Sequence, residues 1–278
     1  MSESNEQLNP GQSGRESFAD VDFGTFKRKV KASYGLDLDA YKRPQMERRL
    51  RANMERCGAA TFQDYYALMQ ANRALADEFL DRVTINVSEL FRNADQFEVL
   101  RTKVLPELLQ KSRGLSVWSA GCSYGAEPYT LAVLLQEVAP RLRHDVLATD
   151  IDDRMLERAK AGVFQESEVR NVTKPRLSAY FKPVPGGYEA QTALKSTLHF
   201  RKHDLLKDSF KQGLDLILCR NVVIYFTDET KSALYRRFFQ ALRPGGYLFV
   251  GGTERIADYA DIGFESKYPF FYRKPERH

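Results

Sequence analysis

The amino-acid sequence predicts an α/β protein in which a small N-terminal helical bundle precedes a parallel, doubly wound β-sheet. Up to about residue 90, apolar residues recur at the spacing of one helix face. After Gly114, short apolar runs alternate with helical patterns, as strands and helices do around a parallel sheet. The composition is 43% hydrophobic and 28% charged over 278 residues, which is typical of a globular chain of one or two domains and excludes a disordered one.

Four amphipathic helices are predicted in residues 18–90. The first ends at Gly35, and its apolar face is formed by Phe23, Phe26, Val30 and Tyr34. The others are predicted at residues 42–56, 61–71 and 75–86, and Thr61 caps the third. Residues 1–17 are polar and are expected to form a disordered tail, and residues 91–113 are expected to form a helical connector.

The basic charge of the chain is concentrated in residues 27–56. This segment has ten Lys or Arg residues and four acids, a net charge of +6, whereas the whole chain carries +5. The remainder of the chain is therefore slightly acidic. Such a concentration favours a surface that meets an acidic partner, and the alternative is an ordinary solvated helix face.

The second part of the chain, residues 114–278, alternates strands and helices. Strands are predicted at 115–120, 145–150, 198–203, 214–219 and 247–251, with a late edge strand at 270–273. Helices are predicted at 127–138, 152–161 and 227–242, the last stopped by Pro-Gly-Gly at 244–246. Residues 169–197 fit this alternation poorly and are interpreted as a small insertion.

Several classes of protein are excluded by the composition of the chain. No apolar run approaches the ~20 residues that a membrane-spanning helix needs, and the polar start lacks the apolar region of a secretory signal. The cysteines at 57, 122 and 219 are far apart and have no CxxC spacing, so we expect free thiols and neither a disulfide nor a metal site. These features predict a protein of the reducing cytoplasm.

Small and polar residues follow the first two strands, at the edge where doubly wound sheets bind ligands. The turn at 121–125 (GCSYG) lets the backbone approach a ligand closely, and it is not the GxGxxG of a pyrophosphate site. Asp150 ends the second strand and is predicted to accept the two ribose hydroxyls of an adenosine. The alternative is a helix cap, because Asp152 and Asp153 follow.

The fourth strand also ends in polar residues. Arg220 and Asn221 follow Cys219, and Tyr225 lies within one further turn of chain. Arg220 is either a ligand contact or a surface charge, and Tyr225 is either functional or a core aromatic with a solvated hydroxyl. Together with the glycine turn, Asp150 and the Pro-Gly-Gly, this ordered set indicates an S-adenosylmethionine-dependent methyltransferase domain and leaves the methyl acceptor open.

Four blocks of the sequence resemble the bacterial chemotaxis receptor methyltransferases. They are TINVSELFR at 84–92, WSAGCSYGAEPY at 118–129, ATDID at 148–152 and CRNVVIYF at 219–226. The resemblance runs from about residue 20 to 273. It implies a helical domain joined to a Rossmann-like domain with a small antiparallel β insertion. It also implies methylation of glutamate side chains on the cytoplasmic helical bundle of chemoreceptors, with S-adenosylmethionine as the cofactor and S-adenosylhomocysteine as its product.

The resemblance implies roles for individual residues. Arg92 and Tyr225 match the active-site pair of the family. Cofactor contacts are implied for Asn86, Ser88, Arg92, Gly121, Glu127, Asp150, Asp204, Leu205, Arg220 and Asn221. Within that set, Asp150 would hold the ribose, Asp204 and Leu205 would border the adenine, and Arg220 and Asn221 would flank the methionine part. The cofactor loop of the family often has Thr-Gly-Glu-Glu-Pro where this chain has YGAEP at 124–128, but Glu127 is retained.

The resemblance also implies a function for the helical domain and for the insertion. Residues 18–90 would dock on the acidic receptor bundle through Arg48, Arg49 and Arg51, with salt-dependent binding. The insertion at 169–197 binds a receptor's C-terminal pentapeptide in some members, but it looks short here, and we predict the pentapeptide-independent type. We expect a monomer that binds no nucleic acid and does not insert directly into a membrane.

Two alternative functions stay open from the sequence. A nucleic-acid methyltransferase is the first, since a basic segment can bind phosphates. Against it, the basic segment lacks interleaved exposed aromatics, and the fourth strand lacks the Asn/Asp-Pro-Pro-aromatic block of enzymes that methylate base nitrogens. A cofactor-binding signalling module without turnover is the second alternative, and the presence of both Arg92 and Tyr225 argues against it.

Overall fold

A computed structural model shows the architecture of residues 18–84 and 88–276, which are the residues that it describes. The chain forms two compact units, Met1–Phe79 and Leu80–His278. The predicted tail at 1–17 and the last two residues of the predicted fourth helix lie outside the described residues. In the described part of the chain, no helix combines the length and the apolar composition needed to cross a membrane.

The predicted helical bundle is confirmed in the first unit. Its helices are α1 (Phe18–Tyr34), α2 (Arg43–Cys57), α3 (Phe62–Ala71) and α4 (Arg73–Thr84), which continues into the second unit. Helix α3 begins with a capping box in which Thr61 and Asp64 each accept from the backbone of the other. The buried core of this unit includes Phe26, Leu50, Phe62, Tyr65 and Phe79.

The second unit contains a large sheet, a small sheet and the helices around them. The strands are β1 (Ser116–Ala120), β2 (Asp145–Asp150), β3 (Val163–Gln165), β4 (Phe181–Val184), β5 (Gly187–Ala190), β6 (Leu198–Lys202), β7 (Leu214–Cys219), β8 (Leu242–Val250), β9 (Glu265–Tyr268) and β10 (Phe271–Arg273). The helices are α5 (Ala94–Val99), α6 (Leu105–Leu109), α7 (Ala126–Val138), α8 (Asp153–Ala161), α9 (Lys174–Tyr180), α10 (Thr192–Lys195), α11 (Asp228–Ala241) and α12 (Tyr259–Ile262). A π-helical turn, Leu100–Val104, joins α5 to α6.

The large sheet confirms the predicted doubly wound architecture. Its strand order is β6-β2-β1-β7-β8-β10-β9. The first five strands are parallel, and β10 is antiparallel to both of its neighbours. Every residue of β7 is buried, which is why this strand is a continuous apolar run with one acid. The order reverses between β1 and β7, and open α/β sheets bind ligands in the crevice at such a switch point.

The small sheet is the predicted antiparallel insertion, with the order β3-β5-β4. It begins at Val163, earlier than the predicted start at residue 169, because β3 is too short to leave an apolar pattern. Strands β4 and β5 are joined by a tight turn of Pro185 and Gly186, whose φ is 83°. A Cβ on Gly187 would lie 2.0 Å from the carbonyl oxygen of Phe164, so only glycine fits beside β3.

The C-terminal strands differ from the prediction in two places. Strand β8 begins at Leu242, before the Pro-Gly-Gly that was expected to precede it. Its pairing with β7 shifts register between Leu214 and Leu216, and this irregularity accommodates Pro244, which has no N–H to donate. Strand β9 was not predicted, because its sequence ESKY is mainly polar and its first three residues are exposed at the sheet edge.

Candidate active site

The turn after β1 is bonded to the end of β2. The N–H groups of Gly121 and Cys122 both donate to the carbonyl oxygen of Thr149 at 2.8 Å. Ser123 has a left-handed φ of 47°, and its N–H donates to Oδ2 of Asp150 at 2.7 Å. The glycine turn and the acid that ends β2 therefore form one local structure.

Asp150 is almost wholly buried at this junction. Its Oδ1 accepts from the N–H of Asp152 at 3.0 Å, and burial raises the pKa of its carboxyl. The cap of helix α8 is Asp152, whose side chain accepts from the N–H of Arg154, so the helix-cap alternative for Asp150 is wrong. Each carboxylate oxygen has two lone pairs, which leaves Asp150 able to accept ribose hydroxyls. That role stays a prediction.

Gly121 brings the turn after β1 against the loop after β7. It has a φ of 78°, and a Cβ built there would lie 2.5 Å from Cγ2 of Val222. Any side chain at this position would push the two loops apart. The predicted cofactor residue Gly121 and the predicted block at 219–226 thus lie together at the switch point of the sheet.

Glu127, in the first turn of α7, is a second acid of the site, and its side chain is 12% exposed. Its Oε1 accepts from the hydroxyl of Ser119 at 2.7 Å, and its Oε2 lies 3.7 Å from Nη1 of Arg220. Burial raises the pKa of Glu127 to about 6, although Arg220, Ser119 and Arg92 oppose the shift. The negative charge of Glu127 is therefore incompletely compensated, and a cationic group of a ligand would stabilise it.

Arg220 joins the end of β7 to the segment that carries Arg92. Its Nη2 donates to the carbonyl oxygen of Arg92 at 3.0 Å, to Oδ1 of Asn93 at 3.2 Å and to Oε1 of Gln96 at 3.1 Å. The guanidinium also stacks on the rings of Phe97 and Phe249. Arg220 is only 7% exposed, so the surface-charge alternative is wrong. Its implied contact with the methionine part stays a prediction.

The backbone on both sides of Arg92 is in an uncommon conformation. Phe91 and Asn93 have φ values of 56° and 59°, in the left-handed region that a bulky residue such as Phe91 rarely adopts. The N–H of Phe91 donates to the hydroxyl of Thr130 at 2.9 Å, and its buried ring packs under the guanidinium of Arg176. Strained residues held this firmly cluster at functional sites, which favours a functional role for Arg92, itself half-buried.

Three further predicted residues lie at the same end of the sheet. After β6, the N–H of His203 donates to the carbonyl oxygen of Asp150 at 2.9 Å. This bond places Asp204 and the buried Leu205 next to the end of β2. Ser88 accepts a hydrogen bond at its carbonyl oxygen from the hydroxyl of Tyr124. Asn86, also predicted to contact the cofactor, lies outside the described residues.

Tyr225 ends a 3-10 turn, Val223–Tyr225, that follows Asn221 and Val222. Its side chain is half-buried, which fits both a functional role and a core aromatic with a solvated hydroxyl, so the role of Tyr225 stays a prediction. Asn221 has a left-handed φ of 60°. Among the described residues, five non-glycine residues have a positive φ, and Phe91, Asn93, Ser123 and Asn221 belong to this site.

Sequence reasoning missed Glu254, a buried carboxylate that bonds to the loop after β7. Its oxygens accept from the backbone N–H groups of Asn221, Val223 and Gly251. The signal was an acid shortly after the end of β8, in the sequence GGTE at 251–254. The same rule that selected Asp150 after β2 would have selected Glu254.

The predicted docking residues belong to helix α2 of the first unit. Arg48 and Arg51 are exposed, and Arg49 is half-buried. The guanidinium of Arg51 lies over the ring of Phe62, 5.2 Å from its centroid. The apolar stripe of Met46, Leu50 and Met54 is buried, so this amphipathic helix presents arginines on its outer surface.

The fold and this site define a Rossmann-like, S-adenosylmethionine-dependent methyltransferase. The family profile "CheR methyltransferase, SAM binding domain" matches residues 86–267, and "CheR methyltransferase, all-alpha domain" matches residues 21–84. The chain belongs to the CheR methyltransferase family.

Curated relatives extend over nearly the whole chain. A chemotaxis protein methyltransferase of Listeria monocytogenes is 41% identical over 254 residues, which are 91% of this chain and 97% of that protein. Chemotaxis protein methyltransferase 1 of Pseudomonas aeruginosa is 34% identical over 257 residues, 88% of this chain and 94% of that protein. Among solved structures, phosphoethanolamine N-methyltransferase 1 of Haemonchus contortus is 15% identical with a TM-score of 0.32, and the match covers 57% of this chain and 28% of that one.

Proposed function

We propose that this methyltransferase transfers the methyl group of S-adenosylmethionine to glutamate side chains in the cytoplasmic helical domain of chemoreceptors, giving glutamyl methyl esters. The observation that carries the proposal is the bond network of Arg220. This side chain ties the segment of Arg92 to the end of β7, next to the loop of Tyr225. The two residues proposed to act on the substrate are thus on segments that are linked to each other.

The residues present fit the cofactor. Glu127 offers a largely buried, incompletely compensated negative charge for a cationic methionine part, and Asp150 retains lone pairs for ribose hydroxyls. Asp204 and Leu205 would border the adenine, and Ser88, Gly121 and Asn221 would complete the site, with Asn86 beyond the described residues. When bound, the cofactor supplies a methyl group activated by a sulfonium.

The chemistry asks little of the protein beyond positioning. A glutamate carboxylate has an ordinary pKa of about 4 to 4.5, so at neutral pH the acceptor is already an ionised nucleophile and needs no general base. We assign Arg92 to hold this carboxylate with its planar guanidinium. Arg92 must bind the carboxylate only moderately strongly, because the negative charge of the acceptor disappears as the ester forms. We assign Tyr225 to shape the methyl pocket, and its hydroxyl is part of this role. Holding the two reactants in line is then the main contribution to the rate.

Receptor docking is proposed for the arginine-rich surface of α2, namely Arg48, Arg49 and Arg51. An acidic helical bundle is complementary to this surface, and electrostatic complementarity mainly gives specificity and a fast association rate. We place the reaction in the cytoplasm, by a monomer that inserts into no membrane and acts on no nucleic acid.

A methyl-transfer assay tests the proposed function. The protein is incubated with radiolabelled S-adenosylmethionine and either chemoreceptor cytoplasmic fragments or structured nucleic acid. We expect base-labile label on the receptor fragments only, since carboxyl methyl esters hydrolyse in base. Label on nucleic acid would instead support the first alternative function. Cofactor binding by calorimetry without label on any of a panel of receptor fragments would support a signalling module.

Arg92→Ala is the informative variant in this assay. We expect it to lose turnover by orders of magnitude while the free energy of unfolding changes little, because the half-buried side chain of Arg92 is assigned to the substrate. Wild-type turnover in a folded R92A protein would end the assignment of Arg92.

A further inference from the structure

Glu254 lies four residues after the end of β8, and its side chain reaches back to the loop after β7. Oε2 accepts from the N–H of Asn221 at 2.6 Å and from the N–H of Gly251 at 2.8 Å. Oε1 accepts from the N–H of Val223 at 3.0 Å. Glu254 is 4% exposed, so these bonds replace its hydration.

The loop after β7 has the conformation of an anion-binding nest. Asn221 is left-handed, with a φ of 60°, and Val222 follows in the right-handed region, with φ −106° and ψ −52°. Successive residues of opposite hand turn their N–H groups towards one point, which attracts a negative charge. The Glu254 carboxylate occupies that point, and its internal hydrogen bonds hold the loop in an otherwise costly conformation.

Gly251 allows the side chain of Glu254 to approach the backbone of the loop after β7. A Cβ on Gly251 would lie 2.5 Å from Oε2 of Glu254 and 2.9 Å from the backbone nitrogen of Asn221. Only glycine allows the three groups to meet. The turn Val223–Tyr225 begins at a residue whose N–H is bonded to Glu254, so this carboxylate anchors the start of the turn that carries Tyr225.

We propose that Glu254 is a positioning residue for methyl transfer, which acts by holding the loop at 221–225 so that Tyr225 keeps its place in the methyl pocket. The proposal rests on the proposed role of Tyr225. Glu254 need not touch cofactor or substrate, because its carboxylate oxygens are used by backbone donors of this chain. The carboxylate and its N–H donors stabilise one another as one buried hydrogen-bond network. If one acceptor oxygen is lost, a buried N–H group is left without a partner, and the loop at 221–225 is held less firmly.

The first test measures whether Glu254 holds the loop. Glu254→Gln keeps the shape of the side chain but replaces one acceptor oxygen with an NH2 group that faces N–H donors. We expect amide hydrogen exchange of a peptide spanning 221–225 to accelerate by roughly tenfold or more in E254Q, while peptides of β1 and α7 keep their protection. Unchanged exchange at 221–225 would overturn the proposal.

The second test measures whether Glu254 acts through Tyr225. Turnover is compared in wild type, E254Q, Y225F and the double variant, with saturating cofactor and receptor fragment. We expect kcat to fall roughly 10–100-fold in E254Q. The kcat of the double variant should stay within about twofold of that of Y225F, because Y225F already removes the contribution of Tyr225 and displacing this residue removes nothing further. Losses that multiply would show that Glu254 does not act through Tyr225.

A matched control separates positioning from stability. Asp215 is also a buried acid that accepts a backbone bond, from the N–H of Ser116 at 2.7 Å, but it lies at the opposite end of β7. Asp215→Asn should lower the melting temperature without lowering kcat, whereas an equal loss of kcat in D215N would overturn positioning by Glu254. Wild-type kcat in Y225F would instead overturn the proposed role of Tyr225, and with it the reason for positioning that residue.

Discussion

At the scale of one residue, Glu127 shows how burial changes an acid. Its pKa is about 6 in the folded chain, against an ordinary value of 4.5, because burial disfavours the charged form. The folded state therefore binds this proton more tightly than the unfolded state does. The resulting contribution to stability is present below pH 4.5 and is lost as the pH rises through 6.

Glu127→Gln makes this loss measurable, because glutamine retains an acceptor for Ser119 and does not titrate. Relative to E127Q, we expect the free energy of unfolding of the wild type to fall by about 1.5 kcal/mol between about pH 4.5 and 7. Urea unfolding of both proteins across this range gives the difference. Two parallel stability curves would show that Glu127 has its ordinary pKa.

At the scale of elements, the site depends on the close approach of two loops, at Gly121 and Val222. In Gly121→Ala the new methyl group would both strain a positive φ and meet Val222. Gly213 is the matched control, because its φ of +76° is nearly the same and no atom lies within 4 Å of a Cβ there. Gly213→Ala therefore incurs only the backbone cost of the left-handed region.

We expect G213A to lower the free energy of unfolding by about 1–2 kcal/mol and G121A to lower it by about 1–3 kcal/mol more. G121A should also weaken cofactor binding by calorimetry, and V222A should restore part of both losses. Equal losses of stability in G121A and G213A would contradict the contact between the loops.

Helix α2 allows a second prediction at this scale. Reversing two exposed charges in R48E/R51E should weaken binding to an acidic receptor fragment at least tenfold at low salt and reduce its salt dependence, because the complementary charges are lost. Cofactor affinity should not change. R73E/R82E, which reverses two exposed arginines of α4, is the matched control because it changes the net charge by the same amount. If R73E/R82E weakens receptor binding as much as R48E/R51E does, the weaker binding results from net charge and not from the position of the arginines on α2.

At the scale of the whole molecule, the sequence predicted the elements whose signal is local. Apolar runs revealed β1 and β7, and an acid at a strand end drew attention to Asp150. The hydrogen-bond partners of Arg220 could not be predicted in this way, because residues 92–96 are distant from Arg220 in sequence and contact it only in the folded chain. Glu254 and β9 were missed for related reasons: the bonds of Glu254 are to backbone groups distant in sequence, and β9 is a polar edge strand.

The distribution of charge over the molecule leads to the last prediction. Residues 27–56 carry +6, and the rest of the chain is slightly acidic. Capture of an acidic receptor should then depend on the first unit and not on the small sheet of the second. The small sheet has short strands, and its hairpin turn consists only of Pro185 and Gly186. It therefore offers little surface on which a peptide could be bound.

We therefore expect receptor fragments with and without a C-terminal pentapeptide to be methylated at rates within about twofold, with KM rising equally for both as salt is added. The isolated tail peptide should not bind the full-length protein in calorimetry at micromolar concentrations. The receptor fragment, measured in the same buffer, shows that the protein is competent. Micromolar binding of the peptide, or a tenfold loss of rate on removing the tail, would mean that the small sheet recruits the receptor despite the charge of α2.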